Sequence, residues 1–524
     1  MTTLHPGHLV MVDIEGTTLS AETGAFLREH HIRAVCLFRK NLGTEAEVGK
    51  LVADLREVLG PQALIGIDQE GGSVARITFL PQAPAAMALG AIVDTNEAER
   101  AAEATGAAVA RGLRSLGINW NFAPVLDVNN NPANPVIAER SFGADPHRVS
   151  RLAGAWMRGS LAEGVACCVK HFPGHGDTHV DSHHALPTVD KSLAELEALE
   201  LIPFRALAGS DPQADAARRP PPEGDALARG GPAPMLAPAL MTAHIVYPQL
   251  DAEHPATLSR RVLTKLLRET IGYRGVVISD ALMMKAIFDR YGHARGAVLT
   301  LAAGADMALA QGRPEDQLAA IRAVGEALQD GRLDANAMRA SRERLDALAT
   351  RYPAGATPYA GTQRADDDAF MRATWARGLT AFGGATLPGL ATPLRVLVQE
   401  RVDTDGVSEV GLSSDEVAAL FANHTDVELL RVPDLVRFDP ATLPRDGRCV
   451  VLASNHRKRY AGAMIGWRPD LHLSLWNPFQ VADIAAPAVV TWGYASGALA
   501  ALRDWLEGRA GAYGVAPVDL APHA

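Results

Sequence analysis

From residue 8 to about residue 351, short apolar runs of strand length alternate with longer amphipathic stretches, a pattern that restricts the chain to folds in which crossover helices join parallel strands. The strand candidates are residues 9–12, 34–38, 63–67, 118–122, 165–169, 240–243, 275–278 and 305–309. Helical patterns lie between them, as at 45–58, 96–116 and 146–163, where apolar residues return at three- and four-residue spacing. Eight such units in about this length predict an α/β chain that opens with a (β/α)8 TIM barrel, whose site forms at the C-terminal strand ends. Polar residues fall at those ends: Asp68 after the third run, Asn121 and Asp127 after the fourth, Lys170 and His171 after the fifth, His244 after the sixth and Asp280 after the seventh.

The remaining length exceeds what one core supports, so a second domain is expected. Residues 1–351 form the barrel in this reading. A stretch rich in Ala, Pro, Gly and Arg at about 208–238 reads as a mobile insertion before the sixth strand. Residues 352–366 read as a linker and 367–524 as a smaller open α/β sandwich domain, with strands at 395–398, 427–430, 449–452, 471–475 and 488–491 and helices at 414–421 and 496–506. That second part lacks a Gly-rich loop between strand and helix, which argues against a nucleotide site.

A net charge of -10 without a long basic run argues against a nucleic-acid partner, because phosphate binding needs clustered Lys and Arg. No apolar stretch is long enough to span a bilayer, and the opening residues lack the basic start of a secretory signal. Cys36, Cys167, Cys168 and Cys449 lie mostly inside apolar runs without metal-ligand spacing, so they read as buried thiols and make the cytoplasm the expected location.

The densest chemistry lies in Lys170-His171-Phe172-Pro173-Gly174-His175-Gly176-Asp177-Thr178-His179-Val180-Asp181-Ser182-His183. Histidines at every fourth residue would share a helix face and suggest zinc, but Pro173, Gly174 and Gly176 break that register. In an extended segment Asp181 and His183 fall on one side, and a carboxylate beside an imidazole orients the ring and favours its protonated form. His175 and His179 are expected to brace the loop. Asp280 ends a run that should be fully buried, where a carboxylate is costly unless paired or used; it either caps the next helix or serves the chemistry. Asp415-Glu416, three residues into a Ser413 start, reads as part of a capping box.

Lys170 through Gly176, Asp181-Ser182-His183, Met241-Thr242-Ala243-His244, Pro255-Ala256-Thr257-Leu258-Ser259, Gly275 through Asp280 and Ala138-Glu139-Arg140-Ser141-Phe142-Gly143 together resemble glycoside hydrolase family 3. Within it, the chain is similar to the bacterial β-N-acetylglucosaminidases of the NagZ type in their two-domain form. The resemblance implies Asp280 as nucleophile, His183 assisted by Asp181 as general acid/base, and Asp68, Arg76, Arg140, Lys170 and His171 as ligands of the sugar hydroxyls. It also implies a retaining exo-enzyme that needs no cofactor or metal and acts on a small carbohydrate substrate, a GlcNAc-containing muropeptide or chitooligosaccharide, as a monomer or homodimer. A free imidazole with a pKa of about 6.5 can donate to a leaving oxygen and then accept a proton from water near neutrality. The rivals are a β-glucosidase or β-xylosidase of the same family, a metal-dependent barrel hydrolase, and a catalytically silent sugar-binding protein. In this reading the second domain is structural or dimer-forming, because the His-Asp loop already supplies the acid/base.

Overall fold

The computed structural model describes residues 3–181, 186–209, 236–402, 407–408 and 411–520. Eight strands form the first sheet: β1 (Val10–Val12), β2 (Ala34–Leu37), β3 (Leu64–Ile67), β4 (Trp120–Asn121), β5 (Ala166–Phe172), β6 (Ala239–Thr242), β7 (Val276–Ile278) and β8 (Ala308–Leu309). Their order is β8-β1-β2-β3-β4-β5-β6-β7, every pairing parallel. The ring closes where Ile278 bridges Met307 and Leu282 N donates to Leu309 O at 2.9 Å. All eight apolar runs therefore become barrel strands.

Strand periodicity sorts each run onto two faces. Met11, Ala34, Cys36, Leu64, Trp120, Phe122, Ala166, Cys168, Val276 and Ile278 belong to one buried cluster, the barrel interior. Their neighbours Val10, Val12, Val35, Leu37, Ile65, Ile67 and Val277 belong to the layer under the surrounding helices. Burial on both faces explains why the strands read as continuous hydrophobic runs. The helices between them start where the chain supplies caps: Thr44 and Glu47 form a capping box for Glu45–Leu59, and Asp94 and Asp145 cap Thr95–Ser115 and Pro146–Ala162. The N-terminal end of the barrel is sealed by helix Ala335–Arg351. Its Arg344 meets the wholly buried Asp306 at 2.7 Å, and Asp306 also accepts from Arg268 at 2.6 Å and from Val277 N at 2.8 Å.

A second sheet of six strands follows: β9 (Thr380–Phe382), β10 (Leu394–Gln399), β11 (Val427–Val432), β12 (Cys449–Ser454), β13 (Leu471–Ser474) and β14 (Ala488–Val490). Its order is β9-β14-β13-β12-β10-β11, parallel except for β9. Val396 and Val398 pack on one face and Leu397 on the other, so both faces are covered, as a sandwich requires. The sequence reading missed β9. Helix Gly361–Gly378 begins inside the stretch read as a linker, leaving 352–360 as the non-helical connection. Most of the stretch read as an insertion, 210–235, lies outside the described residues.

The two sheets are joined by a shared apolar cluster. Met87, Ala88, Ala91 and Ala138 from the barrel pack with Trp375, Phe479, Val490 and Trp492. Arg111 adds a bidentate pair to Asp367 on helix Gly361–Gly378, at 2.9 and 2.6 Å. Among the described residues no helix is long and apolar enough to cross a membrane.

Candidate active site

Beyond the C-terminal ends of the barrel strands lies a cavity of about 590 Å3. Asp68, Arg76, Arg140, Lys170, His171 and Asp280 all line it, although they come from β3, the short hairpin after it, the loop after β4, β5 and the end of β7. These are six of the eight residues that the sequence singled out. Of the other two, Asp181 is buried and does not line the cavity, and His183 lies outside the described residues.

Lys170 is the centre of the charged network. Its ammonium lies 2.5 Å from Asp68 Oδ1 and 2.6 Å from Glu70 Oε1, and only 2% of its side chain is exposed. Glu70 in turn takes a bidentate pair from Arg140, Nε to Oε2 at 2.9 Å and Nη2 to Oε1 at 2.8 Å. Burial opposes ionisation of Glu70, but the Arg140 guanidinium and the Lys170 ammonium outweigh it and hold the carboxyl well below the usual carboxylate range. For Lys170 burial works against the charge, and Asp68 and Glu70 more than compensate, so its pKa is raised. Each buried charge is thus stable only because its partners are in place.

The sequence reading passed over Glu70. It sits in the hairpin made by Gln69–Gly71 and Val74–Ala75, where Gly71 has φ +115° and a Cβ would lie 2.4 Å from Pro84 O. The Gly71-Gly72 pair therefore lets the backbone turn closely, and Glu70 reaches the mouth from that turn.

His171 is oriented by Asp127, which accepts from its ring Nδ1 at 2.6 Å and from its backbone N–H at 3.1 Å. Asp127 also accepts from His175 N at 2.7 Å. Burial would raise the pKa of this fully enclosed carboxyl, yet the His171 ring beside it lowers it, so Asp127 serves as a fixed anion under the loop. Burial, reinforced by the His171 charge, pushes the His175 imidazole down to about 4, and its Nδ1 meets Thr178 Oγ1 at 2.9 Å. His179 contacts Asn131 Nδ2 at 3.2 Å. These two histidines brace the loop, in keeping with a family resemblance that gives them no chemical role.

Asp280 lines the same cavity just after β7, four strands round the ring from the β3 end that carries Asp68. Its Oδ1 accepts from Ala281 N at 2.8 Å, and Thr242 Oγ1 accepts from its own N–H at 3.4 Å. The next helix, Lys285–Ala303, begins five residues further on with Met284 as N-cap, so Asp280 does not cap it. His244, buried at the end of β6, has Nε2 3.0 Å from Ala281 O and Nδ1 2.9 Å from Thr257 Oγ1, steadying the backbone beside Asp280. Asn121 is also a brace, bonding Gln69 N and Gln69 O at 3.0 and 2.9 Å.

The second domain reaches this site. Val407 lines the cavity, and its carbonyl accepts from Arg76 Nη1 at 2.5 Å, while Arg76 Nη2 lies 3.6 Å from Asp68 Oδ2. Among the described residues no three His, Cys, Asp or Glu side chains converge as a metal-ligand set.

Chemically, this is a pocket larger than one pyranose. One end presents fixed donors and acceptors suited to hydroxyls, and the other end has a carboxylate facing it.

Comparison with known proteins agrees with that geometry. The family model for the glycosyl hydrolase family 3 N-terminal domain matches residues 2–216 and 236–348. The chain is 38% identical over 304 residues to a β-hexosaminidase of Pseudomonas aeruginosa, which covers 57% of this chain and 81% of that protein. It is 34% identical over 365 residues to β-hexosaminidase A of Pseudoalteromonas piscicida, covering 64% of this chain and 56% of that longer protein, so the chain spans little more than half its length. A solved glycoside hydrolase family 3 β-N-acetylglucosaminidase from Paenibacillus sp. superposes with a TM-score of 0.81 at 31% identity, covering 100% of both chains. With the family match extending over more than half the sequence and the superposition over all of it, the chain belongs to glycoside hydrolase family 3.

Proposed function

We propose that this chain is a retaining exo-β-N-acetylglucosaminidase that removes terminal β-linked GlcNAc from peptidoglycan-derived fragments in the cytoplasm. The observation that carries the reading is the placement of Asp280 across one cavity from the Asp68–Lys170–Glu70–Arg140–His171 network. In this reading Asp68, Arg76, Arg140, Lys170 and His171 hold the hydroxyls of the terminal sugar. Asp280 attacks the anomeric carbon as the aglycone leaves and forms a glycosyl ester. His183, assisted by Asp181, gives a proton to the departing oxygen and then takes one from the water that opens the ester, which restores the original anomeric configuration. The names of the β-hexosaminidase and β-N-acetylglucosaminidase relatives support the GlcNAc substrate. The resemblance to bacterial enzymes of the NagZ type supports the muropeptide and the cytoplasmic setting.

Asp280→Asn keeps the size of the side chain and removes the nucleophile. Turnover of 4-nitrophenyl β-GlcNAc is expected to fall on the order of 10^4-fold while GlcNAc binding, read by calorimetry, persists. Undiminished turnover would refute the assignment, and faster hydrolysis of the matching β-glucoside than of the β-GlcNAc by the wild type would favour the β-glucosidase alternative.

A further inference from the structure

One guanidinium in the proposed sugar site is bonded directly to the second domain, and another shares a carbonyl with it. Arg76 Nη1 donates to Val407 O. Arg140 Nη1 donates to Val136 O at 3.1 Å, and that same carbonyl accepts from Arg457 Nη2 at 2.6 Å. Arg457 follows β12, with its own carbonyl bonded by Asn477 Nδ2 at 2.8 Å. The residue before Arg140, the wholly buried Glu139, has Oε1 accepting from Ser73 Oγ and from Trp476 Nε1, the latter at 3.0 Å. Further back, Arg459 donates to Pro132 O at 2.9 Å while its other nitrogens grip Asp483 at 2.5 and 2.6 Å.

Residues 132–140 are thus fastened to the second domain at three points: Pro132, Val136 and Glu139. The segment has reason to need fastening. Ala138 adopts φ +38°, a left-handed conformation that a residue with a Cβ keeps only where its surroundings over-determine it. Ser73 carries the fastening back to the hairpin of Glu70, the carboxylate that Arg140 grips. Charge-assisted bonds of this kind fix direction as well as distance.

Resting on the glycosidase reading above, we infer that Arg457 and Trp476 are positioning residues of the sugar site. They clamp residues 132–140 so that the Arg140 guanidinium stands ready before substrate arrives. Neither lines the cavity, so each acts through what it holds, Arg457 through Val136 and Trp476 through Glu139, the residue before Arg140. The second domain is therefore part of the binding apparatus of the barrel, not an appendage to it.

Full-length Trp476→Phe keeps an aromatic ring in place and deletes the N–H to Glu139, Arg457→Ala deletes the second donor to Val136, and Arg457→Lys restores a cationic donor. Two readouts are taken on each: steady-state kinetics on 4-nitrophenyl β-GlcNAc, and hydrogen exchange of peptides covering 132–142. The expected result is faster exchange in those peptides, KM raised about fivefold to twentyfold with kcat within about twofold, and recovery of most of the KM in Arg457→Lys. Unchanged exchange in Trp476→Phe, or in a folded Arg457→Ala, would overturn the clamp, and Trp476→Phe keeps the test valid if Arg457→Ala does not fold. A kcat loss that tracks melting temperature with KM unmoved would likewise overturn it, since that is what a merely structural contact gives. A wild type with no turnover would count against the glycosidase reading, while the exchange data would still decide the clamp.

Discussion

The two parallel sheets of this molecule treat their C-terminal strand ends in opposite ways. In the barrel those ends carry Asp68, Lys170, His171 and Asp280 toward a cavity of about 590 Å3. In the second sheet they close on each other. Asn455, after β12, accepts from Gln399 N at 3.0 Å and donates to Gln399 O and Leu412 O at 3.1 and 3.0 Å, filling the crevice between β10 and β12 where an open α/β sheet offers a ligand site. Ser454 Oγ meets Tyr460 OH and His472 Nε2, the latter at 2.8 Å. The same architecture makes a pocket in one place and a seal in the other. Side chains pair with one another in both places; in the barrel the paired residues surround a cavity, and in the second sheet they fill the crevice. Asp306 and Asp280 show the contrast within the barrel, for Asp306, leading into β8, is locked by two arginines, whereas Asp280, leading out of β7, faces the cavity.

The largest test of this contrast is removal of the central cation. Lys170→Met leaves Asp68 without its short ion pair and Glu70 with only Arg140, and breaking a buried pair from one side costs about 3–5 kcal/mol. Denaturant unfolding is expected to show a loss of that size. A change below about 1 kcal/mol would mean that the mouth is a solvated surface.

A smaller test uses pH. Burial first, then the His456 charge, pushes His472 down to about 3. Because its folded pKa is depressed, the unfolded chain takes up the proton near pH 6.5 and the folded chain does not. The stability that His472 contributes is therefore whole above about pH 6.5 and is lost as pH falls from there toward 3. That linkage amounts to about 2 kcal/mol between pH 7 and 5, so His472→Gln should make the profile shallower by about that amount, with the buried His175 and His456 keeping their own share. Glu70, whose folded pKa is also depressed, keeps its contribution until pH enters the ordinary carboxylate range near about 4.3, so Glu70→Gln should leave the slope between pH 7 and 5 unaltered. Parallel profiles for wild type and His472→Gln would break the distinction between sealed and open ends.

The smallest effect is local. Ser413 caps helix Ser414–Ala419, accepting from Glu416 N while Glu416 reaches back, so Asp415-Glu416 is a capping box as its spacing suggests. Ser413→Ala should cost about 1 kcal/mol in thermal or denaturant unfolding without altering KM. A KM change would mean that this helix communicates with the mouth.

Much of the fold was legible because burial on both faces writes a strand as an apolar run; most of the barrel strands carry that mark, although Asn119 and Asn121 interrupt it at β4. β9 does not, since Thr380–Phe382 is a three-residue antiparallel edge with only Thr380 buried. Helix Gly361–Gly378 was overlooked at its start because Gly361 through Asp368 are polar apart from one alanine, and most of that first turn faces solvent. In the site, strand ends and the family resemblance pointed to Asp68, Lys170, His171 and Asp280. Glu70 was hidden by its Gly-rich turn. The contacts of Arg457 and Val407 with the barrel had no local signal, since each acts on a partner more than three hundred residues away.

The most direct test of the account is covalent capture at the strand end. Incubation of the full-length protein with 5-fluoro-β-GlcNAc fluoride, which slows opening of a glycosyl ester, should add one sugar mass to the proteolytic peptide containing Asp280 and leave Asp280→Asn unlabelled. Label on any other residue, or turnover of 4-nitrophenyl β-GlcNAc with inversion at the anomeric carbon, would contradict it.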